Sequence, residues 1–481
     1  MECSCIEYYF IYEITMKNFF SQYKWETIIF CVALIMRIAL FGVNFSNNNY
    51  DLIQTIHGDD GYYELSQNII AGNGFSFDTE PPYRPNPLRP PVWPYVIAGT
   101  ASVGGYWLVL VLELLMGSLI PVFGLVLSRR IFGKWFGIWT GLLMAIEPYS
   151  ILLSFILYTE TCFIFFFLLS LIHLMRFIDE REVVQGVLAG LILGLAILVK
   201  PTVQFFPILI PLFLLIAWRK HLTRGLVAKV LMIGVLALAV MMPWVYRNKV
   251  EFGVWGMSAQ PAFNLYVYLV PTVLSIDNGT NFQIESEVFV GRDDSDGSTI
   301  TLANGDEYKD KAMKVLMEHK GAIIKSTLIT LATFFTHDGM LTVLQYSGIT
   351  FDNILRVPAL SLLAHPMELV RTIAHYATSL AIFIPIVRLL WIAVTLLMLW
   401  GIITLFRRRE MNTEKILGIF IVLYFAMTTA INGLGVNARF RVPILIYIFS
   451  FALYGLFTLW GYILGKLEKR HEETLDNHPR I

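Results

Sequence analysis

The stretch His57-Gly58-Asp59-Asp60-Gly61-Tyr62-Tyr63-Glu64 follows closely on the apolar run from Glu26 to Phe45. That run has the length of one membrane crossing, for which a bilayer core needs about 20 apolar residues. Carboxylates at the rim of a membrane bundle are costly unless they have partners or work, so the stretch marks the end of a first crossing and a candidate active site. The run follows Lys17 and Lys24 without a small-residue cleavage site, which predicts a retained helix instead of a signal peptide.

Composition agrees with that start. Of 481 residues, 56% are hydrophobic and only 15% are charged, and the mean hydropathy is +0.63. This is too apolar for a soluble globular chain and predicts an all-α, multi-pass membrane protein. No nucleic-acid partner is expected. The four cysteines, Cys3, Cys5, Cys31 and Cys162, form no CxxC and have no histidine at ligand spacing, so neither a disulfide nor a zinc site is expected.

Cutting the remaining apolar runs at crossing length predicts about ten transmembrane helices, near 26–45, 105–127, 135–148, 152–175, 183–199, 203–217, 225–243, 381–405, 415–432 and 443–464. Glu147-Pro148-Tyr149 and Lys200-Pro201 interrupt two long tracts and read as the turns of helical hairpins. The expected organisation is a transmembrane catalytic module over 1–243 including an outer loop 46–104, a small α-rich outer segment over 244–380, C-terminal helices over 381–465, and a cytoplasmic tail over 466–481.

Basic residues then set the orientation. With the N-terminus inside, the inner loops receive Arg129, Arg130 and Lys134, then Arg176 and Arg181, then Arg219, Lys220 and Arg224, then Arg407, Arg408 and Arg409, and the tail Lys466, Lys469 and Arg470. The Asp59 cluster is therefore expected outside. Lys200, Arg247, Arg439 and Arg441 are left outside against that bias, each near the outer end of a helix, where together they suit one phosphate at headgroup depth. The alternative is that they snorkel to lipid headgroups.

Within the outer loop, Asp59 to Ala71 has helical spacing and ends at Gly72-Asn73-Gly74, predicting an interfacial helix with Asp59 and Asp60 at its N-terminus. There a carboxylate can simply cap the helix, which is the competing reading of Asp60. Residues 81–94 are stiffened by prolines and carry Arg84 and Arg89, a rigid basic ledge beside the carboxylate pair.

These landmarks occur in an order that resembles the GT-C superfamily of membrane glycosyltransferases, in the branch of protein O-mannosyltransferases and the lipid A aminoarabinose transferase. They are Asp59-Asp60 with Tyr63, Arg89-Pro90-Pro91, Thr159-Glu160, Gly194-Leu195-Ala196 through Lys200-Pro201, Pro243-Trp244 with Arg247-Asn248, and Arg439-Phe440-Arg441-Val442-Pro443. The resemblance implies a GT-C-like bundle with interfacial helices in the first outer loop. It implies inverting transfer of a sugar from a polyprenyl-phosphate donor to a protein, lipid or envelope-glycan acceptor on the outer face of a bacterial or archaeal plasma membrane. Asp59 matches the catalytic base and Glu160 a second acidic position, while Asp60, Tyr63, Arg84, Arg89, Lys200, Arg247, Asn248, Arg439 and Arg441 are the expected substrate contacts. Two positions depart from the pattern. Lys200 stands where many relatives have arginine, and Leu88 precedes Arg89 where the aminoarabinose enzyme has a Glu-Lys pair.

The chemistry is consistent with that implication on its own terms. A glycosyl phosphate reacts through an oxocarbenium-like state, and fixed cations replace a general acid when the leaving group is phosphate. One carboxylate suffices to take the acceptor proton. Glu160 is expected about two turns inside the outer boundary, where it needs a partner: Lys200, the acceptor, or a divalent cation shared with Asp59. Arg37 and Glu113 read as an internal ion pair or polar packing.

In the outer segment, Gly291 to Gly297 fails the calcium-loop pattern, since its positions 1 and 12 would be Arg292 and Ala303. Asp306 to His319 reads as a soluble helix, and 322–335 and 355–363 as apolar stretches. Asn278-Gly279-Thr280 has the form of a glycosylation sequon. The other function classes are a lipid-linked sugar flippase or transporter, against which the one-sided polar clusters stand, and a noncatalytic lipid-binding relative, against which Asp59 stands.

Overall fold

The protein is described by a computed structural model over residues 23–291, 299–349, 380–435 and 437–476, with Met367 and Arg371. Cys3, Cys5, the 292–298 part of the excluded calcium loop and the apolar stretch 355–363 lie outside the described residues. Every regular element among the described residues is helical.

Among the described residues, seven helices are long and apolar enough to cross a membrane: Lys24–Asn47, Val92–Phe132, Glu160–Glu180, Arg224–Phe252, Phe383–Arg407, Thr413–Gly435 and Ala438–Gly465. Lys134–Ile146, Val183–Val199 and Phe206–Ala217 are apolar but shorter. The expected segments thus fall on helices, except that 152–175 is divided between two, while the helices of crossing length among the described residues number seven, or eight if a bent pair counts as one. That pair, Lys320–Thr336 and Met340–Tyr346, is bent by 60° and lies in the segment read from sequence as the outer cap. A small separate core, including Ala262, Tyr266, Val270, Val273, Ala312 and Leu316, forms within that segment.

Glycines set the closest helix crossings. A Cβ on Gly401 would collide with the Phe451 carbonyl, and one on Gly455 with that of Leu397. The Phe383–Arg407 helix therefore packs backbone to backbone on the C-terminal helix, as small residues allow between apolar helices. Large side chains such as Ile35, Ile38, Val235 and Leu390 remain exposed on the outer surfaces of these helices, which suits a lipid-facing bundle.

Two chain breaks matter for the site. Val92–Phe132 is interrupted at Gly104 and Gly105, the latter at φ 68°, which separates a short arm at the ledge from the crossing itself. The tract expected as one helix from 152 to 175 is instead the short helix Pro148–Leu153, six non-helical residues, and Glu160–Glu180. Glu147 starts the short helix by accepting from the Ser150 amide at 2.6 Å. Glu160 consequently opens its helix instead of lying two turns within one.

Of the two readings of Arg37 and Glu113, the structure has polar packing and not the ion pair. Arg37 donates to the Ala33 carbonyl at 3.1 Å and the Ala145 carbonyl at 3.5 Å, and forms no ion pair with Glu113. Arg129 with Glu26 (2.6 Å) and Arg130 with Glu414 (3.2 Å) tie helix ends at one end of the bundle. The carboxylate turn, the ledge, Glu160, Lys200 and Arg439 all stand where helices arrive at or leave the opposite end.

Candidate active site

The carboxylate pair sits in a turn that its glycines make possible. Gly58 and Gly61 have φ of 67° and 75°, conformations that side chains with a Cβ rarely adopt. An added Cβ on Gly58 would lie 2.8 Å from the Tyr158 ring, and one on Gly61 2.6 Å from the Phe77 ring. The interfacial helix runs over Tyr62–Ala71, with Gly61 as its N-cap and Gly72 in the left-handed conformation at its end. No side chain caps its start. The capping reading of Asp60 is thereby removed, and both carboxylates are available for other partners.

The other members of the cluster arrive from four other places in the chain. The Leu157 amide bonds to the Ile56 carbonyl at 2.7 Å, which lays the non-helical 154–159 stretch beside the turn, and the Tyr158 hydroxyl donates to Asp59. On the ledge, Asn86 Oδ1 accepts from the Leu88 and Arg89 amides at 3.0 and 2.9 Å and sets the position of Arg89. Arg89 Nη2 then reaches Asp60 at 3.4 Å. Lys200 ends the Val183–Val199 helix, where Pro201 prevents the helix from continuing, and pairs with Glu160. Arg439 lies in a short turn whose start is fixed by Asn437 Oδ1 accepting the Arg439 amide at 2.9 Å. Its guanidinium bridges Asp60 and Glu160, with 2.5 Å from Nε to Glu160, and stacks over the Tyr158 ring at 4.1 Å.

The cluster holds three carboxylates, Asp59, Asp60 and Glu160, against three cations, Arg89, Lys200 and Arg439. Glu160 is fully buried, a placement tolerable only with two cations at its oxygen. Burial by itself would raise Asp60, but the Arg439 and Arg89 charges beside it hold it below the ordinary carboxylate range. Asp59 differs from its neighbour in being exposed. Polar capacity is also left over: Arg89 Nε and Glu160 Oε2 are buried without a hydrogen-bond partner. Beside Lys200 and Arg439, the side chains of Phe163, Phe425, Phe440 and Pro443, with Thr202 and Thr429, line a largely apolar cleft.

Of the expected site residues, the structure gathers Asp59, Asp60, Arg89, Glu160, Lys200 and Arg439. The other five are placed elsewhere. Arg84 is at the surface on Asp78 (2.7 Å), whose carboxyl its hydrogen bonds lower to about 2. Tyr63 packs between the rings of His57 and Tyr106, at 5.2 and 5.0 Å. Arg247 is wedged against Trp244, Phe75 and Phe252 and donates to Asn248 Oδ1 at 2.9 Å and the Asn86 carbonyl at 3.5 Å, supporting the ledge from behind. Asn248 donates to the Gly256 and Met257 carbonyls at 2.9 and 3.1 Å and so holds the loop after its own helix. Arg441 stacks on Trp391 at 3.5 Å and donates to the Phe334 and His337 carbonyls at 2.9 and 2.7 Å, an anchor for the bent helix pair.

Tyr158 was not among the expected residues. The available signal was polar Tyr158-Thr159-Glu160 set in an otherwise apolar run. Of the two Glu160 oxygens, Oε1 faces Lys200 and Arg439, and Asp59 is bonded to Tyr158. Among the described residues no group of three or more His, Cys, Asp or Glu side chains is placed to hold a metal. The sequon residues are engaged too, Asn278 and Thr280 both donating to Glu285 at 2.9 and 2.6 Å.

Comparison with known proteins bears on the same segments. No curated protein matches the chain. Among solved structures, the Archaeoglobus fulgidus oligosaccharyltransferase in complex with Zn and sulfate is 14% identical with a TM-score of 0.48, covering 90% of this chain and 50% of that one. The chain thus spans about half the length of that relative. The archaeal oligosaccharyltransferase AglB from the same organism, with an inhibitory peptide and a dolichol-phosphate, gives 14%, 0.46, 96% and 53%. ArnT from Cupriavidus metallidurans bound to undecaprenyl phosphate gives 15%, 0.40, 90% and 78%. Over residues 88–246, which include Arg89, Glu160 and Lys200, the chain matches the family described as dolichyl-phosphate-mannose-protein mannosyltransferase.

Proposed function

We propose that this chain transfers a sugar from a polyprenyl-phosphate donor to an acceptor on the outer face of the membrane, with inversion and with Asp59 as base. The observation that carries the reading is the convergence of Arg89, Lys200 and Arg439, from three separate segments, next to one exposed carboxylate and an apolar cleft. The three cations suit a phosphate. The family match over 88–246 points to the same class of lipid-linked donor.

In this reading the acceptor oxygen or nitrogen attacks the anomeric carbon while the bond from that carbon to the phosphate oxygen breaks. The phosphate leaves with the electron pair, and Arg89, Lys200 and Arg439 neutralise it, so no general acid is needed. The acceptor proton passes to Asp59. Asp60 and Glu160 are the counter-ions that keep the three cations placed before the donor arrives. Their ion pairs leave donors free, among them Arg89 Nε.

The test is turnover by the purified protein in proteoliposomes with radiolabelled polyprenyl-phosphate sugars and an envelope extract as acceptor. Label should move from the lipid to an acceptor fraction, releasing polyprenyl phosphate. Movement of intact labelled lipid between leaflets without release of polyprenyl phosphate would make the chain a carrier instead.

A further inference from the structure

The exposed carboxylate does not stand alone, and its hydrogen bonds lead back to the bent helix pair. The Tyr158 hydroxyl donates to Asp59 Oδ1 and lies 3.2 Å from the Tyr346 hydroxyl. A tyrosine hydroxyl has one proton to give and lone pairs to receive. An ionised carboxylate only accepts. Once Tyr158 has given its proton to Asp59, the contact with Tyr346 can be made only with Tyr346 as donor.

Resting on the transferase reading above, we propose that Tyr346 is a positioning residue for the reaction: it holds the single Tyr158 proton on Asp59 Oδ1, which leaves Oδ2 to take the acceptor proton. An exposed carboxylate otherwise rotates between equivalent oxygens, and a base must be aimed in the transition state to be effective.

The element that carries Tyr346 is built to hold it still. The start of Met340–Tyr346 is held by Asp338, whose Oδ1 accepts the Met340 amide at 2.8 Å and whose Oδ2 pairs with Arg388 at 2.7 Å. Gly339, at φ 72°, fits against the Tyr149 ring with no space for a side chain. At the far end, Asn47 of the first helix donates to the Ser347 carbonyl at 2.5 Å. Arg441 ties the other arm of the bend through the Phe334 and His337 carbonyls. From another element, the Arg439 guanidinium faces Tyr158, stacked over its ring at 4.1 Å. Tyr346 is thus the point at which the bent pair acts on the reacting end of the bundle.

The experiment compares Tyr346→Phe, Tyr158→Phe and the double variant in the proteoliposome transfer assay, with exposed Gln345→Ala on the same helix as control. Tyr346→Phe should lower kcat about three- to tenfold, the scale of one neutral hydrogen bond, with KM for the donor and the melting midpoint unchanged. Tyr158→Phe should lower kcat at least as much, and the double variant should match Tyr158→Phe alone, because Tyr346 acts only through Tyr158. Losses that multiply in the double variant, or a change confined to KM, would overturn the proposal. Absence of transfer by the unsubstituted protein would instead overturn the transferase reading on which it rests.

Discussion

Asp59 and Asp60 share a peptide bond but not an environment: Asp60 is enclosed by Arg89 and Arg439, whereas Asp59 is exposed and bonded to Tyr158. Two identical side chains are thereby divided between holding cations and being free to accept a proton.

For Asp60 this division predicts a binding phenotype. Asp60→Asn removes the counter-ion that places Arg89 and Arg439, so KM for the lipid-linked donor should rise about tenfold with a smaller effect on kcat. The pH dependence follows the same pair. Because the cations lower Asp60 in the folded protein, its contribution to stability is present above the unfolded carboxylate value, about 3.9. It is lost only as pH falls through the lowered folded value. Melting midpoints at pH 7 and pH 5 should therefore show the same gap between wild type and Asp60→Asn, and a gap that closes by pH 5 would contradict the assignment.

Glu160 is the buried counter-ion of the network. Removing one member of a buried ion pair leaves its partners uncompensated, at a cost of about 3–5 kcal/mol. Glu160→Gln should lower the melting midpoint in detergent markedly. Lys200→Arg should be tolerated because it keeps the charge beside Glu160, while Lys200→Glu, which sets two carboxylates together, should be inactive. A Glu160→Gln protein as stable as wild type would show that the pairs with Lys200 and Arg439 are not formed.

The arginines read together in the sequence should separate experimentally. Arg84→Ala, at the surface on Asp78, should leave transfer within about twofold of wild type. Arg441→Ala vacates a buried site that ties Phe334 and His337, so it should destabilise the protein by about 1–3 kcal/mol without a specific rise in donor KM. Equal donor-binding defects in Arg439→Ala and Arg441→Ala would put both on the phosphate.

Gly58→Ala and Gly61→Ala test the turn itself. Each places a Cβ at positive φ, against Tyr158 in one case and Phe77 in the other. Each should cost more than about 1 kcal/mol in stability, and Gly58→Ala should also depress kcat because it displaces the donor to Asp59. Chemical denaturation alongside the transfer assay separates the two effects.

The helices were legible because apolar runs of crossing length announce themselves. The break from 154 to 159 was not: Phe155, Ile156 and Leu157 are as apolar as a helix interior, and hydropathy has no term for a non-helical stretch sealed inside a bundle. That hid the true place of Glu160 and the role of Tyr158. The cations Lys200 and Arg439 stood out because they break the charge bias expected of loops assigned to the outer face. The same rule selected Arg247 and Arg441, since a charge bias does not distinguish a guanidinium aimed at a site from one stacked on Trp244 or Trp391 behind it. Tyr346 is joined to Tyr158 across 188 residues, a contact that only the fold reveals.

The central claim is that Asp59 takes the acceptor proton. Its most direct test is single-turnover transfer by Asp59→Asn, supplied with saturating radiolabelled polyprenyl-phosphate sugar in proteoliposomes. The amide keeps the shape and the Tyr158 contact but cannot act as base, so the transfer rate should fall by about 10²- to 10⁴-fold with donor binding unchanged. Turnover within a few fold of wild type would contradict the account.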